Sequence, residues 1–154
     1  MFSAESRASA YEPARTARCP GWRSEPESSA FAIDLEEGGS LRAEDGTRLE
    51  ADPVWSPEHL LLAALVRCSL QSLRHHARRG HIEVSDAHGS ARALFSKRES
   101  DERYAVVECD LTLAVRLSPK PGEDELAELL VRAERGCFIG ASLTAKPTYD
   151  WTVS

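Results

Sequence analysis

The four cysteines, Cys19, Cys68, Cys109 and Cys137, form no CxxC pair. A structural zinc site, which draws on closely spaced ligand pairs, is therefore not expected. The chain has no Gly-rich phosphate loop and no GxSxG turn, the marks of nucleotide binding and of one large class of serine hydrolases. No apolar run approaches the ~20 residues of a membrane span. Residues 1–19 lack the apolar stretch of a secretory signal, which predicts a cytoplasmic protein. Thiols there are mostly reduced, so a functional cysteine pair is more readily redox-active than structural. Basic residues are in the minority: 19 Lys and Arg stand against 25 Asp and Glu, for a net charge of −6. Phosphate binding rests on clustered Lys and Arg, so nucleic acid is not an expected partner.

The 154 residues suffice for one domain with a real core. Residues 1–29 are rich in Ser, Ala, Arg, Glu and Pro without a period, and read as a tail or a poorly defined first strand. Residues 30–154 read as a single domain. "AFAIDL", "SLRA" and "RLEA" are short strand candidates separated by the turn signals "EEGGS" and "EDGT". A long helix is well marked: Ser56 suits the N-cap, Pro57 the first helical position and Glu58 the positive end of the dipole. It is expected to run to Arg79 and to stop at Gly80 as the residue beyond the cap. From Leu60 to Val66 it is apolar all round, predicting burial on several sides, whereas "RHHARRG" should emerge into solvent.

Two long strands follow. In "YAVVECDLTLAVRL" strict alternation puts Ala105, Val107, Cys109, Leu111, Leu113, Val115 and Leu117 on one face. Residues 82–97 read as the antiparallel partner, with Gly89 marking a bulge or bend. A second helix is expected over residues 124–135, with Cys137 near the end of its apolar stripe, and "TYDWTV" closes the chain as a strand. Strands grouped apart from helices predict an α+β fold with antiparallel sheets packed around the long, buried, cysteine-bearing helix.

Which residues could carry chemistry is only partly decided by their surroundings. Cys109 lies on the apolar strand face, where a free cysteine packs as a small hydrophobe. Cys19 lies beside Pro20 and Gly21 in the tail. Cys68 follows Leu61, Ala64 and Leu65 on one side of its helix and admits two readings, core residue or nucleophile. Cys137 alone is unremarkable. His75 and His76 are adjacent, so they point about 100° apart on a helix and cannot act as an i, i+4 ligand pair; His59, His81 and His88 have no regular spacing.

Two segments are similar to a known family. "SPEHLLLAALVRC" resembles the Pro-Glu…Ala-Ala…Cys segment of the OsmC/Ohr proteins, the osmotically inducible and organic-hydroperoxide-resistance proteins. "AERGCFIGASL" resembles the segment around that family's second cysteine, with Phe138 where Pro or Leu is usual and Gly140 where Ser is usual. The likeness spans residues 47–154. It implies an OsmC-like fold and a thiol-dependent peroxidase acting on small organic hydroperoxides. It further implies Cys68 as the thiol that attacks peroxide and Cys137 as its resolving partner through a Cys68–Cys137 disulfide. By the likeness of "TRLEADPVWSPE" to the family's Thr-Arg…Pro-Glu stretch, Arg48 is implied as the activating cation and Glu58 as its carboxylate, with Arg42 a second candidate for the cation. No bound cofactor is expected, only an external dithiol reductant.

Glu58 and Cys68 are ten residues apart, hence about 15 Å along one helix axis. Two such helices packed antiparallel about a two-fold axis would bring each Glu58 near the other chain's Cys68. An intertwined homodimer with two composite sites is therefore expected. The alternatives are a non-catalytic protein of the same fold that binds an apolar small molecule, and a purely structural dimer whose cysteines only pack.

Overall fold

The computed structural model describes residues 32–35, 39–50, 52 and 54–154. Cys19 and the proposed tail lie outside the described residues, as does the first part of "AFAIDL". The chain divides into two compact units at Leu49/Glu50.

The first unit is a small antiparallel meander of β1 (Ile33–Leu35), β2 (Leu41–Ala43) and β3 (Arg48–Leu49). The turn between β2 and β3 is the expected "EDGT". Asp45 accepts the Thr47 N–H at 2.8 Å, and Gly46 takes φ +86°, a conformation glycine adopts without penalty. Asp34 pairs directly with Arg42, and their side chains form an ion pair at 2.8 Å.

In the second unit an Asp52 turn, accepting from Val54 N and Trp55 N, leads into α1 (Pro57–Arg79). Ser56 caps it as expected, but the residue that completes the cap is His59. Its ring Nδ1 accepts the Ser56 N–H at 3.2 Å while Ser56 Oγ faces the His59 N–H. The helix ends one residue differently from expectation. Gly80 has φ −92° and the left-handed residue is His81, at φ +57°. His81 N–H bonds to Arg78 O and Ile82 N–H to Ala77 O, which closes the turn and seats Ile82 against the core.

After α1 come β4 (Glu83–Lys97), β5 (Tyr104–Ser118), α2 (Glu123–Arg135), α3 (Phe138–Ser142) and β6 (Thr148–Val153). β4 and β5 pair antiparallel, but β6 joins β5 in parallel, so the sheet is mixed rather than antiparallel. The physical cause is the connection. A parallel neighbour requires a crossover, and α2 and α3 supply it between Ser118 and Thr148. One face of this sheet, through Cys109, Leu111, Leu113, Val115 and Leu117, forms the core with Leu65, Leu70, Leu73 and Ala77 of α1 and Leu129 and Ala133 of α2.

Strict alternation fails near the start of β5. Leu94 pairs with Glu108 and Phe95 with Val106, leaving Val107 as an extra residue. Val106, not Val107, is buried, because a bulge exchanges the faces on either side of it. The second irregularity is in β4 at Asp86 and Ala87, where Asp86 takes φ +48°, and not at Gly89. Gly89 answers a different need. A Cβ there would lie 2.5 Å from Leu113 Cδ2 and 2.7 Å from Thr112 O. Gly89→Ala is therefore expected to destabilise the fold by ~1–3 kcal/mol, the cost of overpacking. A chemical-denaturation midpoint equal to that of the parent chain would disprove this close packing.

The burial of α1 also departs from expectation. The buried residues lie in its second half, Ser69, Leu70, Ser72, Leu73 and Ala77, with only Leu65 before them. The apolar run from Leu60 to Ala64, and Val66, is half-buried within one chain. Cys68 is half-buried as well.

Candidate functional site

Cys68 and Ser69 are consecutive on α1, and each turns toward the short segment linking α2 to α3. That segment exists because α2 stops at Gly136, where an added Cβ would meet Ser72 Oγ at 2.5 Å. The chain then turns at Cys137, which caps α3. The Cys137 sulfur accepts the Gly140 N–H at 3.3 Å. Cys137 is 0% exposed.

The two cysteines are thereby brought together from the middle of α1 and the start of α3. Burial is the largest influence on Cys68 and pushes its thiol above the ordinary value. The Ile139 backbone amide pulls the other way, Cys137 pushes it up again through a side-chain hydrogen bond and like charge, and the Phe138 amide lowers it slightly. No guanidinium of the described residues in Glu50–Ser154 contributes. Cys68, Cys109 and Cys137 are all free thiols.

A polar network backs Cys137. Ser69 Oγ lies 3.3 Å from Cys137 Sγ, 2.9 Å from Leu65 O and 3.5 Å from the Tyr149 hydroxyl. Tyr149 stands on β6, its ring stacked on Trp151 at 6.2 Å. Trp151 Nε1–H donates to Glu134 at 3.0 Å and so ties β6 to α2. Burial is the main cause that pushes the Tyr149 hydroxyl up to about 12, partly offset by its hydrogen bond with Ser69. Gly140 makes room for this hydroxyl: a Cβ there would lie 2.9 Å from it. Ser69 and Tyr149 do not stand out in the sequence. The available signal was a serine on the same helical stripe as Leu65 and Leu73, a polar side chain where only apolar ones are expected.

The other sequence-derived residues fall elsewhere. Glu58 is exposed in the first turn of α1, its carboxyl lowered chiefly by a hydrogen bond from the Ser56 side chain. α1 runs unbroken from Glu58 to Cys68. Arg48 and Arg42 belong to the first unit, where they are direct cross-strand partners on β3 and β2. Cys109 is 3% exposed among core residues, and burial raises its thiol, as suits an inert packing residue. Phe138, the residue that follows Cys137, is 76% exposed.

Two grooves mark the second unit, and neither is lined by Cys68 or Cys137. One, of about 340 Å³, lies between the last turn of α1 and one side of α2, with His76, Arg79 and Arg132 on its walls. The other, of about 370 Å³, runs beside the half-buried side of α1 from Trp55 and His59 to Arg67 and Gly89. Among the described residues no group of three or more His, Cys, Asp or Glu could hold a metal ion, and no helix is long and apolar enough to cross a membrane.

Comparison with known proteins agrees with the arrangement of elements. A family model described as OsmC-like protein matches residues 50–152. No curated protein matches the chain. Among solved structures, an OsmC-like protein of unknown function from Vibrio cholerae superposes with a TM-score of 0.68 at 17% identity, covering 81% of this chain and 100% of that one. An OsmC-like protein from Mycoplasma pneumoniae gives 0.59 at 16% identity, over 84% and 98% of the two chains. An organic hydroperoxide resistance protein from Legionella pneumophila gives 0.53 at 17% identity, over 82% and 97%. At such identities the likeness is one of fold.

Proposed function

Because the chain belongs to the OsmC-like protein family, we propose that it is a cytoplasmic, thiol-dependent peroxidase that reduces small organic hydroperoxides through Cys68 and Cys137. The observation that carries this reading is the approach of two free thiols, one half-buried and one fully buried, from distant parts of the chain. The Cys68 thiolate attacks one peroxide oxygen. The O–O bond breaks, the departing alkoxide takes a proton and leaves as alcohol, and Cys68 becomes a sulfenic acid. The Cys137 sulfur then attacks the Cys68 sulfur, the hydroxyl leaves as water, and a disulfide forms. An external dithiol restores both thiols by exchange.

The proposal includes a second copy of the chain. Burial alone disfavours the Cys68 thiolate, and a guanidinium is the group suited to reverse this, since it stays charged and offers fixed donors. Arg48, oriented by Glu58, is assigned that role. Glu58 sits ~15 Å from Cys68 along an unbroken helix, so the partner subunit is taken to supply it. The half-buried apolar start of α1 would be covered by the same pairing. A second reading, a non-catalytic protein of this fold that binds an apolar small molecule, is favoured by the raised Cys68 thiol.

One equivalent of cumene hydroperoxide followed by mass spectrometry separates the two readings. The reduced chain is expected to lose two hydrogens and yield a Cys68–Cys137 disulfide peptide. Cys137→Ser is expected to complete one turnover and stop at a sulfenic or over-oxidised Cys68. An intramolecular bridge to Cys109 or Cys19 would remove Cys137 from the resolving role. Unmodified chains beside unconsumed hydroperoxide would favour the binding protein.

A further inference from the structure

Resting on the thiol chemistry proposed above, we propose that Ser69 is a catalytic residue of the thiol–disulfide steps, holding the Cys137 sulfur as a thiolate, and that Tyr149 positions Ser69 for this. Three observations place them. Ser69 is 0% exposed and its hydroxyl has three groups in reach: Leu65 O, Cys137 Sγ and the Tyr149 hydroxyl. Gly140 N–H already points at the same sulfur. Gly140 also lacks the Cβ that would collide with the Tyr149 hydroxyl.

One hydroxyl carries one proton, so these contacts describe two states rather than one. With Cys137 as a neutral thiol, its S–H donates to Ser69 Oγ, and Ser69 donates back to Leu65 O. With Cys137 as a thiolate, the Ser69 proton turns from Leu65 O to the sulfur. Gly140 N–H remains the second donor, and Tyr149 O–H donates to the vacated side of Ser69 Oγ. Leu65 O loses little, because it also sits in the backbone ladder of α1. The rotation of one hydroxyl thus provides a donor when negative charge arrives on the sulfur and withdraws it when the charge leaves.

Accessibility says when charge arrives. In the disulfide, Cys68 is the half-buried sulfur and Cys137 the enclosed one, so an incoming dithiol reaches Cys68. Its thiolate forms a bond to Cys68 Sγ, the Cys68–Cys137 bond breaks, and the electron pair passes to Cys137. That thiolate is received by Ser69 and Gly140 and later takes up a proton. The reductant's second thiolate then attacks its own mixed-disulfide sulfur and releases Cys68, so the reductant is oxidised to a disulfide and the protein gains two electrons. In the forward direction the same donors support Cys137 as it attacks the sulfenic acid. A better-stabilised leaving thiolate departs faster.

The test uses full-length protein oxidised by diamide, which makes the disulfide without a peroxide, and dithiothreitol as the reductant. Ser69→Ala is expected to slow disulfide cleavage by about tenfold or more, the worth of a hydrogen bond to a charged group. The equilibrium with dithiothreitol should move much less than the rate, because the resting dithiol holds Cys137 protonated. Tyr149→Phe keeps the ring stack and should give a smaller change, about threefold, in the same direction. Should Ser69→Ala fail to fold, Tyr149→Phe carries the comparison alone. A folded Ser69→Ala chain with the parent's cleavage rate would show that Ser69 only bonds back to its helix, and would overturn this inference while leaving the peroxidase reading intact. A disulfide that forms with diamide but not with hydroperoxide, and is cleaved slowly in Ser69→Ala, would overturn the peroxidase reading alone. No Cys68–Cys137 disulfide with either oxidant would overturn both.

Discussion

Cys68→Ser is expected to abolish consumption of organic hydroperoxide, by at least about a thousandfold, because a serine hydroxyl is far less ionised at neutral pH than a thiol. Even the thiol is a poor nucleophile unaided. At an ordinary pKa of about 8.5 only a few per cent is thiolate at pH 7, and burial at this site pushes Cys68 higher still. A guanidinium ~4 Å away at an effective dielectric of 20 would favour the thiolate by up to about 4 kcal/mol, acting against the effect of burial. Removing that cation should move the pH at which turnover levels off upward, because burial then acts on Cys68 unopposed. Cys109→Ala is the contrasting variant. It should keep turnover and lose stability on the order of 1 kcal/mol, as for a buried methylene-sized group. Undiminished peroxide consumption by Cys68→Ser would remove this residue from the mechanism.

Subunit mixing is expected to restore activity that neither parent variant possesses. Cys68→Ser chains lack the nucleophile, and Glu58→Ala chains lack the carboxylate assigned to orient Arg48. If each site takes Cys68 from one chain and Glu58 from the other, the heterodimer holds one intact site and one lacking both groups. Activity per heterodimer should then rise toward half that of the parent dimer. The geometric motive is firm: α1 has no break between Glu58 and Cys68, and no rotamer spans ~15 Å of helix. Absence of recovery, with exchange verified by mass spectrometry of differently tagged chains, would sink the composite site. Sedimentation of a purely monomeric protein at micromolar concentration would sink it earlier.

Much of the fold was legible because its signals are local. Ser56, Pro57 and the basic last turn define α1, and alternation from Glu108 to Ser118 defines most of β5. What escaped depends on partners far along the chain. The face exchange at Val107 is a property of β4–β5 register. Parallel pairing of β6 follows from the route of the crossover, to which "TYDWTV" is indifferent. Gly89 reads as a bend in sequence, yet its reason is the Leu113 side chain across the ladder. In the candidate site, the likeness of two segments pointed to both cysteines. The serine and tyrosine behind Cys137 could not be found in the same way, because Ser69 and Tyr149 meet over 80 residues of intervening chain.

Cys68 and Cys137 stand 69 positions apart, which orders events during synthesis. At 5–20 residues per second, Cys68 is made about 3–14 s before Cys137. During that interval the nascent chain carries Cys68 beside Cys19 and then Cys109, but with neither the sulfur assigned to capture its oxidised form nor the loop that adjoins it. The crossover through α2 and α3 must close onto β5, and β6 must be made, before the pair exists. Oxidant met on the ribosome would thus act on a Cys68 still without its assigned partner, whereas the same dose after release would meet both sulfurs together.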